Sequence, residues 1–169
     1  AGLAVPFRRQ QGRIERMRPF FAMLAMAVAL PVTAAAQTPP PYQPGMGDLM
    51  VTIVQPRHLK LGLAGQARNW DYADYAHHEL EESLEAVEKH IPKWRDFDIA
   101  QLMAATVKQP LEDIEKAVKA RNAAAFDAAY RQLTESCNAC HRSTNLPAIV
   151  IKVPDASAFP NQEFRGGGR

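Results

Sequence analysis

From residue 47 to residue 147, apolar side chains recur at spacings of three and four, which is the period of one face of an α-helix. Four such stretches follow one another, and no alternating pattern of a half-buried strand competes with them. The pattern predicts four helices, one within residues 47–68 and the others at about 71–91, at about 98–120, and from 123 to a point before Pro147.

Prolines and capping residues mark where these helices begin, bend and end. Pro56 lacks the N–H of an interior helical residue, so it either kinks the first helix or starts its main part. Pro92 ends the second helix, and Pro110 is expected to bend the third. Asp71 and Asn122 are the predicted N-caps, because their side-chain oxygens can accept from free backbone N–H groups.

Helices of about 20 residues with short connections pack most simply as an antiparallel four-helix bundle, in which each helix buries one apolar stripe. We therefore predict an all-α fold, with the bundle at residues 46–147 and an extended C-terminal tail at 148–169. Residues 148–153 are apolar and β-branched, which favours an extended conformation. We expect this segment either to lie along the bundle or to pair with another subunit.

Charge is distributed unevenly along the chain. The 169 residues carry a formal net charge of +2, but residues 1–36 hold five arginines and one acidic residue. Without them, 15 basic and 17 acidic residues remain, which is a net charge of −2. This balance argues against nucleic acid as a partner, because nucleic-acid binding requires a basic surface.

Residues 1–36 have the features of an upstream segment followed by a signal peptide. Met17 and Arg18 precede an uncharged apolar run, FFAMLAMAVAL, and Ala34 and Ala36 are the small residues that signal peptidase recognises. The run is shorter than the roughly 20 residues of a bilayer span. We therefore expect cleavage after Ala36, a periplasmic protein and no remaining membrane span; an uncleaved anchor is the alternative. Residues 37–45 are a proline-rich linker.

Both cysteines of the chain lie in one short motif, Cys137-Asn138-Ala139-Cys140-His141. C-x-x-C-H is the signature of covalent c-type haem attachment. Residues three apart share a helix face, so the two thiols can reach the two vinyl groups on one haem edge. The imidazole of His141 can then bind the iron as the proximal axial ligand. The motif predicts one covalent haem c in each chain.

Other uses of two cysteines fit this sequence less well. A structural zinc site needs four ligands, and only three donors cluster here. A thioredoxin-type redox pair is expected next to a βαβ unit, which a helical pattern does not provide. A disulfide or two buried structural thiols are the remaining alternatives. Because haem is joined to such motifs outside the cytoplasm, the predicted export signal favours haem attachment.

A haem motif at the C-terminal end of the last of four helices resembles the class II c-type cytochromes, the cytochrome c prime family and its low-spin relatives. Residues 122–141, NAAAFDAAYRQLTESCNACH, carry most of the resemblance, and residues 57–65, RHLKLGLAG, carry it more weakly. The resemblance covers about residues 47–145. The long segment after the motif departs from the family pattern, in which the chain ends soon after the histidine.

The resemblance also implies that the first helix covers the distal side of the haem, with either a methionine ligand or an apolar residue there. Setting the family's small-residue step against Gly65 puts Leu61 at the distal position. Leucine has no donor atom, so this alignment implies an open or blocked sixth coordination site. His58, one turn earlier, and Met50, farther away, are the alternative ligands.

Three functions are compatible with such a haem site. The first is single-electron transfer with redox partner proteins, which is not an enzymatic reaction. The second is binding of NO or CO at a vacant sixth position beside Leu61. The third is peroxide chemistry at an open iron, for which the sequence offers no identifiable distal acid–base pair. The resemblance also allows a homodimer.

Overall fold

A computed structural model of the chain describes residues 41–166. The predicted upstream segment, signal peptide and cleavage site at Ala36 lie outside these residues, as do residues 37–40 of the linker. The described residues are mostly helical, which confirms the all-α class. None of their helices combines the length and the apolar character that a membrane crossing requires.

Helices occupy most of the chain from residue 46 to residue 143, and one short hairpin interrupts them. The elements are α1 (Met46–Leu49), a π-helical turn (Met50–Val54), α2 (Gln55–Gln66), α3 (Trp70–His90), β1 (Lys93–Trp94), β2 (Phe97–Asp98), α4 (Ile99–Thr106), α5 (Lys108–Lys119) and α6 (Ala123–Ser143).

The first helical segment, α1 to α2, is continuous but changes its winding in the middle. At the end of the π-helical turn, the Gln55 N–H donates to the carbonyl of Met50, five residues earlier. Pro56 follows in the first turn of α2 and has no N–H to donate. The wider turn accommodates the missing donor. The sequence predicts that Pro56 either kinks the helix or starts its main part. The structure shows the second, because α2 begins at Gln55 with Pro56 in its first turn.

Two of the capping predictions can be compared with the structure directly. Asn122 is the N-cap of α6, and its side chain accepts from the Ala125 N–H at 3.1 Å, as predicted. The prediction for Asp71 is wrong, because Asn69 caps α3 instead by accepting from the Tyr72 N–H. Asp71 lies in the first turn of α3, where a negative charge favours the helix dipole.

The predicted third helix is divided at Val107 into α4 and α5. Pro110 lies in the first turn of α5, so the hydrogen bond that its N–H would make to the Thr106 carbonyl is missing. The hairpin before α4 was not predicted. Lys93 pairs with Asp98 and Trp94 with Phe97, across a turn in which Arg95 has a φ of 54°. Strands of two residues are too short to produce an alternating pattern.

The helices pack in a closed set of contacts, α2 on α3, α3 on α5, α5 on α6 and α6 on α2. Each contributes its apolar stripe to one core. The largest fully buried side chains of the described residues are Tyr130, Phe126, Leu61, Leu80, Ile114, Leu133, Val87 and Ser83.

Two glycines bring α2 close to α6. A Cβ at Gly65 would overlap the ring of Phe126, and one at Gly62 would overlap the ring and hydroxyl of Tyr130. His58, one turn before Gly62, contacts Tyr130 as well, with ring centroids 4.8 Å apart. Residues with higher numbers on α2 contact residues with lower numbers on α6, so the two helices run antiparallel.

The tail after Leu146 contains neither helix nor strand in its described part and lies along the helices of its own chain. Its Phe164 ring is buried near Tyr72, with ring centroids 5.9 Å apart. Side-chain amides hold its backbone at three points, from Asn138 to Ile151, from Gln66 to Pro154 and from Asn69 to Phe164.

Replacing Gly65 by alanine tests the close approach of α2 and α6. The added methyl group must displace the buried Phe126 ring, so we expect the free energy of unfolding to fall by about 1–3 kcal/mol in spite of alanine's higher helix propensity. Urea unfolding followed by circular dichroism measures the change.

Gly47→Ala is the matched control, because within residues 41–166 nothing beyond the local helix backbone lies within 4 Å of a Cβ at Gly47 in α1. This variant should gain up to about 1 kcal/mol from helix propensity alone. Equal unfolding midpoints for the two variants would contradict the packing.

Candidate functional site

The C-terminal half of α6 borders an apolar cavity of about 310 Å³. Cys137, Cys140 and His141 all line this cavity, so the structure brings the three functional side chains of the motif to one space. The cavity volume lies in the range of sites that bind small molecules and cofactors.

Several other parts of the chain form the remaining walls of the cavity. Three of them present mainly aliphatic side chains. The walls include Met50, Val51 and Val54 from the π-helical turn, Ile99, Leu102 and Met103 from α4, and Leu146, Ile149 and Ile151 from the chain after α6. An apolar lining of this kind suits the body of a large planar cofactor.

The two thiols are free and protonated. Cys137 and Cys140 form no disulfide. Burial raises the pKa of the Cys137 thiol to about 12 and also raises the pKa of Cys140. A reactive redox dithiol requires the opposite, a thiol whose pKa is lowered by a nearby positive charge or a helix N-terminus. The environment therefore disfavours a thioredoxin-type pair.

The ring of His141 is oriented by a backbone carbonyl. Its Nδ1 lies 2.9 Å from the oxygen of Ile149. Because a carbonyl oxygen can only accept, Nδ1 carries the hydrogen and Nε2 of the neutral ring keeps its lone pair. A metal-binding histidine typically has this arrangement, in which the second ring nitrogen is fixed by a hydrogen bond. The donors therefore fit a haem that is held by two thioethers and one imidazole.

The first helical segment faces the motif through its π-helical turn. The antiparallel contacts of α2 with α6 run from Gly65 and Phe126 to His58 and Thr134. Continued in the same register, they bring Val54 and Met50 to the level of the motif. Met50 and Val54 do line the cavity, and the thioether of Met50 is a possible iron ligand.

Leu61 and His58, the other predicted distal residues, have different positions. Leu61 is fully buried in the helical core and does not line the cavity, because it lies at the level of Tyr130, two turns from Cys137. His58 does line the cavity. The structure thus brings His58 and Met50 to the site of the motif and leaves Leu61 outside it.

Each ring nitrogen of His58 lies within hydrogen-bond distance of a hydroxyl, with Nε2 3.1 Å from Thr134 Oγ1 and Nδ1 3.0 Å from Tyr130 Oη. Both hydroxyls donate to backbone carbonyls, Thr134 to that of Tyr130 and Tyr130 to that of His58. Burial lowers the pKa of His58 to about 4, so the ring is neutral at pH 7 and donates from only one nitrogen. His58 would have to move away from one of these hydroxyls in order to bind a metal.

Some wall residues could not be identified from the sequence. Trp94 reaches the cavity from the hairpin, and Ile149 and Ile151 reach it from the tail. The apolar run at 148–153 predicts that the tail packs against a surface, but it does not identify that surface. The short hairpin gave no periodic signal for Trp94.

Among residues 41–166, no group of three or more His, Cys, Asp and Glu side chains is arranged to hold a metal ion. Comparisons with protein-family models, with curated proteins and with solved structures give no match to this chain.

The buried, neutral His58 predicts that stability falls on acidification. In the unfolded chain its pKa is the usual 6.5, so between pH 6.5 and 4 the unfolded state binds the proton more readily than the folded state. We expect His58 to account for a loss of about 2 kcal/mol in the free energy of unfolding between pH 7 and pH 5. Denaturant unfolding at a series of pH values measures it.

The variant His58→Gln should lack this part of the pH dependence. His78→Gln is the matched control, because His78 is exposed, and it should keep the dependence of the wild type. The same slope of stability against pH in His58→Gln and in the wild type would contradict a neutral, buried His58.

Proposed function

We propose that this chain is an exported c-type haem protein that transfers single electrons. In this proposal Cys137 and Cys140 hold the haem covalently, and His141 is the proximal ligand of the iron. The observation that carries the proposal is the convergence of these three side chains on one apolar cavity. The free, protonated thiols and the fixed Nδ1 of His141 support it further.

The proposed architecture is an antiparallel four-helix bundle that resembles the class II c-type cytochromes. Its members are the segment α1–α2, then α3, the pair α4–α5, and α6. The closed set of contacts among α2, α3, α5 and α6 is what this architecture requires. The position of the motif at the end of the last helix supports the resemblance.

The chain has identifiable contributions to the chemistry. If haem is bound, each thiol would add across one vinyl group, with a new Sγ–C bond and transfer of the thiol hydrogen to the other vinyl carbon. A bound haem supplies a one-electron couple at its iron. The aliphatic walls would place the ring in apolar surroundings, and a low dielectric would disfavour the additional positive charge of the oxidised state.

Met50 is the sixth ligand that we favour. It lines the cavity on the π-helical turn, and its sulfur is a suitable donor for haem iron. His58 is the weaker candidate, because the hydroxyls of Thr134 and Tyr130 lie within 3.1 Å of its two ring nitrogens. A methionine–histidine pair of axial ligands is typical of electron-transfer cytochromes, so this choice of ligand agrees with the proposed electron transfer.

Export to the periplasm belongs to the same proposal. The signal-peptide pattern in residues 17–36 supports it, because haem is attached to C-x-x-C-H motifs outside the cytoplasm. The partners of an electron carrier are other redox proteins. The proposal involves no nucleic acid and no membrane span after cleavage, and it allows a homodimer.

Binding of NO or CO is the second candidate function. The wall that faces the motif is largely aliphatic, and its one histidine is engaged in hydrogen bonds. If Met50 does not coordinate the iron, this apolar wall leaves space in which a small diatomic ligand can bind.

Absorption spectra of the oxidised and reduced protein, with and without CO, distinguish the two functions. For the wild type we expect low-spin spectra that CO does not change, and a single one-electron midpoint. Met50→Leu should remove the sixth ligand and make the reduced spectrum respond to CO. Met103→Leu is the matched control, a methionine of the α4 wall whose replacement should leave the spectra unchanged.

A wild-type spectrum that shifts with CO would exclude Met50 as a stable ligand and favour gas binding. A CO response in Met103→Leu but not in Met50→Leu would exclude the assigned ligand. Exported protein without covalent haem would contradict both functions.

A further inference from the structure

Asn138 lies between the two cysteines and connects α6 to the tail. Its Oδ1 accepts from the Ile151 N–H at 2.7 Å, and its Nδ2 donates to the Ile151 carbonyl at 2.8 Å. The carboxamide thus satisfies both backbone groups of one tail residue, as a neighbouring strand would. The C-x-x-C-H motif itself does not require an asparagine at this position, so the pairing is a feature of this chain.

The segment held in this way, residues 147–154, is called the strap here. Two residues before Ile151, the carbonyl of Ile149 accepts the hydrogen bond of His141 Nδ1 at 2.9 Å. The same two residues, Ile149 and Ile151, line the cavity beside the motif. Three residues after Ile151, the carbonyl of Pro154 accepts from Gln66 Nε2 on α2, also at 2.9 Å.

Burial alone holds this part of the strap weakly. Ile149 is 48% exposed and Val150 is 71% exposed, so they gain little from apolar contact in place. The Ile149 N–H donates to the Leu146 carbonyl at 3.0 Å, and Asn138 holds Ile151 against α6 with its two hydrogen bonds. The position of the Ile149 carbonyl therefore depends on these hydrogen bonds more than on packing.

We propose that Asn138 is a positioning residue for the proximal ligand. It holds the strap so that the Ile149 carbonyl fixes the orientation of His141 and increases the electron donation of its imidazole. This inference rests on the proposed haem function. A hydrogen bond at the second nitrogen of a ligating histidine raises its basicity, and a more basic ligand favours the oxidised iron. Loss of Asn138 should therefore shift the reduction equilibrium toward the reduced state.

The test compares Asn138→Ala with Gln66→Ala in the haem-loaded, full-length protein. Each variant removes side-chain amide contacts to the strap, but only Asn138 acts next to the Ile149 carbonyl. For Asn138→Ala we expect the reduction equilibrium constant to rise by up to about tenfold, which is about 59 mV upward for one electron. Gln66→Ala should leave the potential unchanged. A purely structural role would lower the stability of both variants and move neither potential.

Hydrogen exchange on the wild type provides a second measurement that needs no variant. The Ile151 amide should exchange far more slowly than the exposed, unpaired amides of the tail, because Asn138 Oδ1 accepts its hydrogen. The His141 Nδ1–H should be protected in the wild type and in Gln66→Ala, and lose its protection in Asn138→Ala.

Unprotected Ile151 exchange in the wild type would overturn the inference even if Asn138→Ala fails to fold. A haem-loaded Asn138→Ala variant with the wild-type potential would overturn it as well and leave the haem function intact. Wild-type protein without covalent haem would overturn the haem function, and the inference with it.

Discussion

The contact between α2 and α6 at Tyr130 determines how the candidate site is assembled. The ring of Tyr130 lies between those of Phe126 and His58, with ring centroids 5.7 Å and 4.8 Å away. Its hydroxyl donates to the His58 carbonyl. Glycines at 62 and 65 make this approach possible, because side chains there would overlap the two aromatic rings. With this register fixed, the π-helical turn lies opposite the end of α6.

The sequence predicts some parts of the site well because their signals are local. The cap at Asn122 and the apolar period of α6 predict the helix that carries Cys137, Cys140 and His141. A spacing of three on such a helix then requires the two thiols to share a face. The all-α class follows in the same way from periodicity in each segment.

Other parts depend on contacts between segments that are distant in the chain. The alignment to Gly65 predicts Leu61 at the distal position, but the partners of Gly65 and Gly62 are Phe126 and Tyr130, two turns or more before Cys137. In this register, the residues of the first helical segment that lie opposite Cys137, Cys140 and His141 are Val54 and Met50. The π-helical turn, the Trp94 hairpin and the path of the strap likewise have no periodic signal of their own.

Burial and hydrogen bonding have complementary effects at the site. Burial raises the pKa of the Cys137 thiol and lowers the pKa of His58, so both groups are uncharged at pH 7. Hydrogen bonding orients one potential metal ligand. Nδ1 of His141 donates to the Ile149 carbonyl, which leaves the lone pair of Nε2 free to bind a metal. The tail contributes that carbonyl. Residues 147–154 therefore belong to the site as much as the motif does.

Peptide mapping of the exported wild-type protein tests the central claim most directly. Trypsin cleaves after Arg131 and Arg142 and releases the peptide 132–142, which contains both cysteines and His141. Mass spectrometry should find this peptide with the mass of one haem added and without free thiols. An unmodified peptide, with two free thiols or with a disulfide between Cys137 and Cys140, would contradict covalent haem attachment.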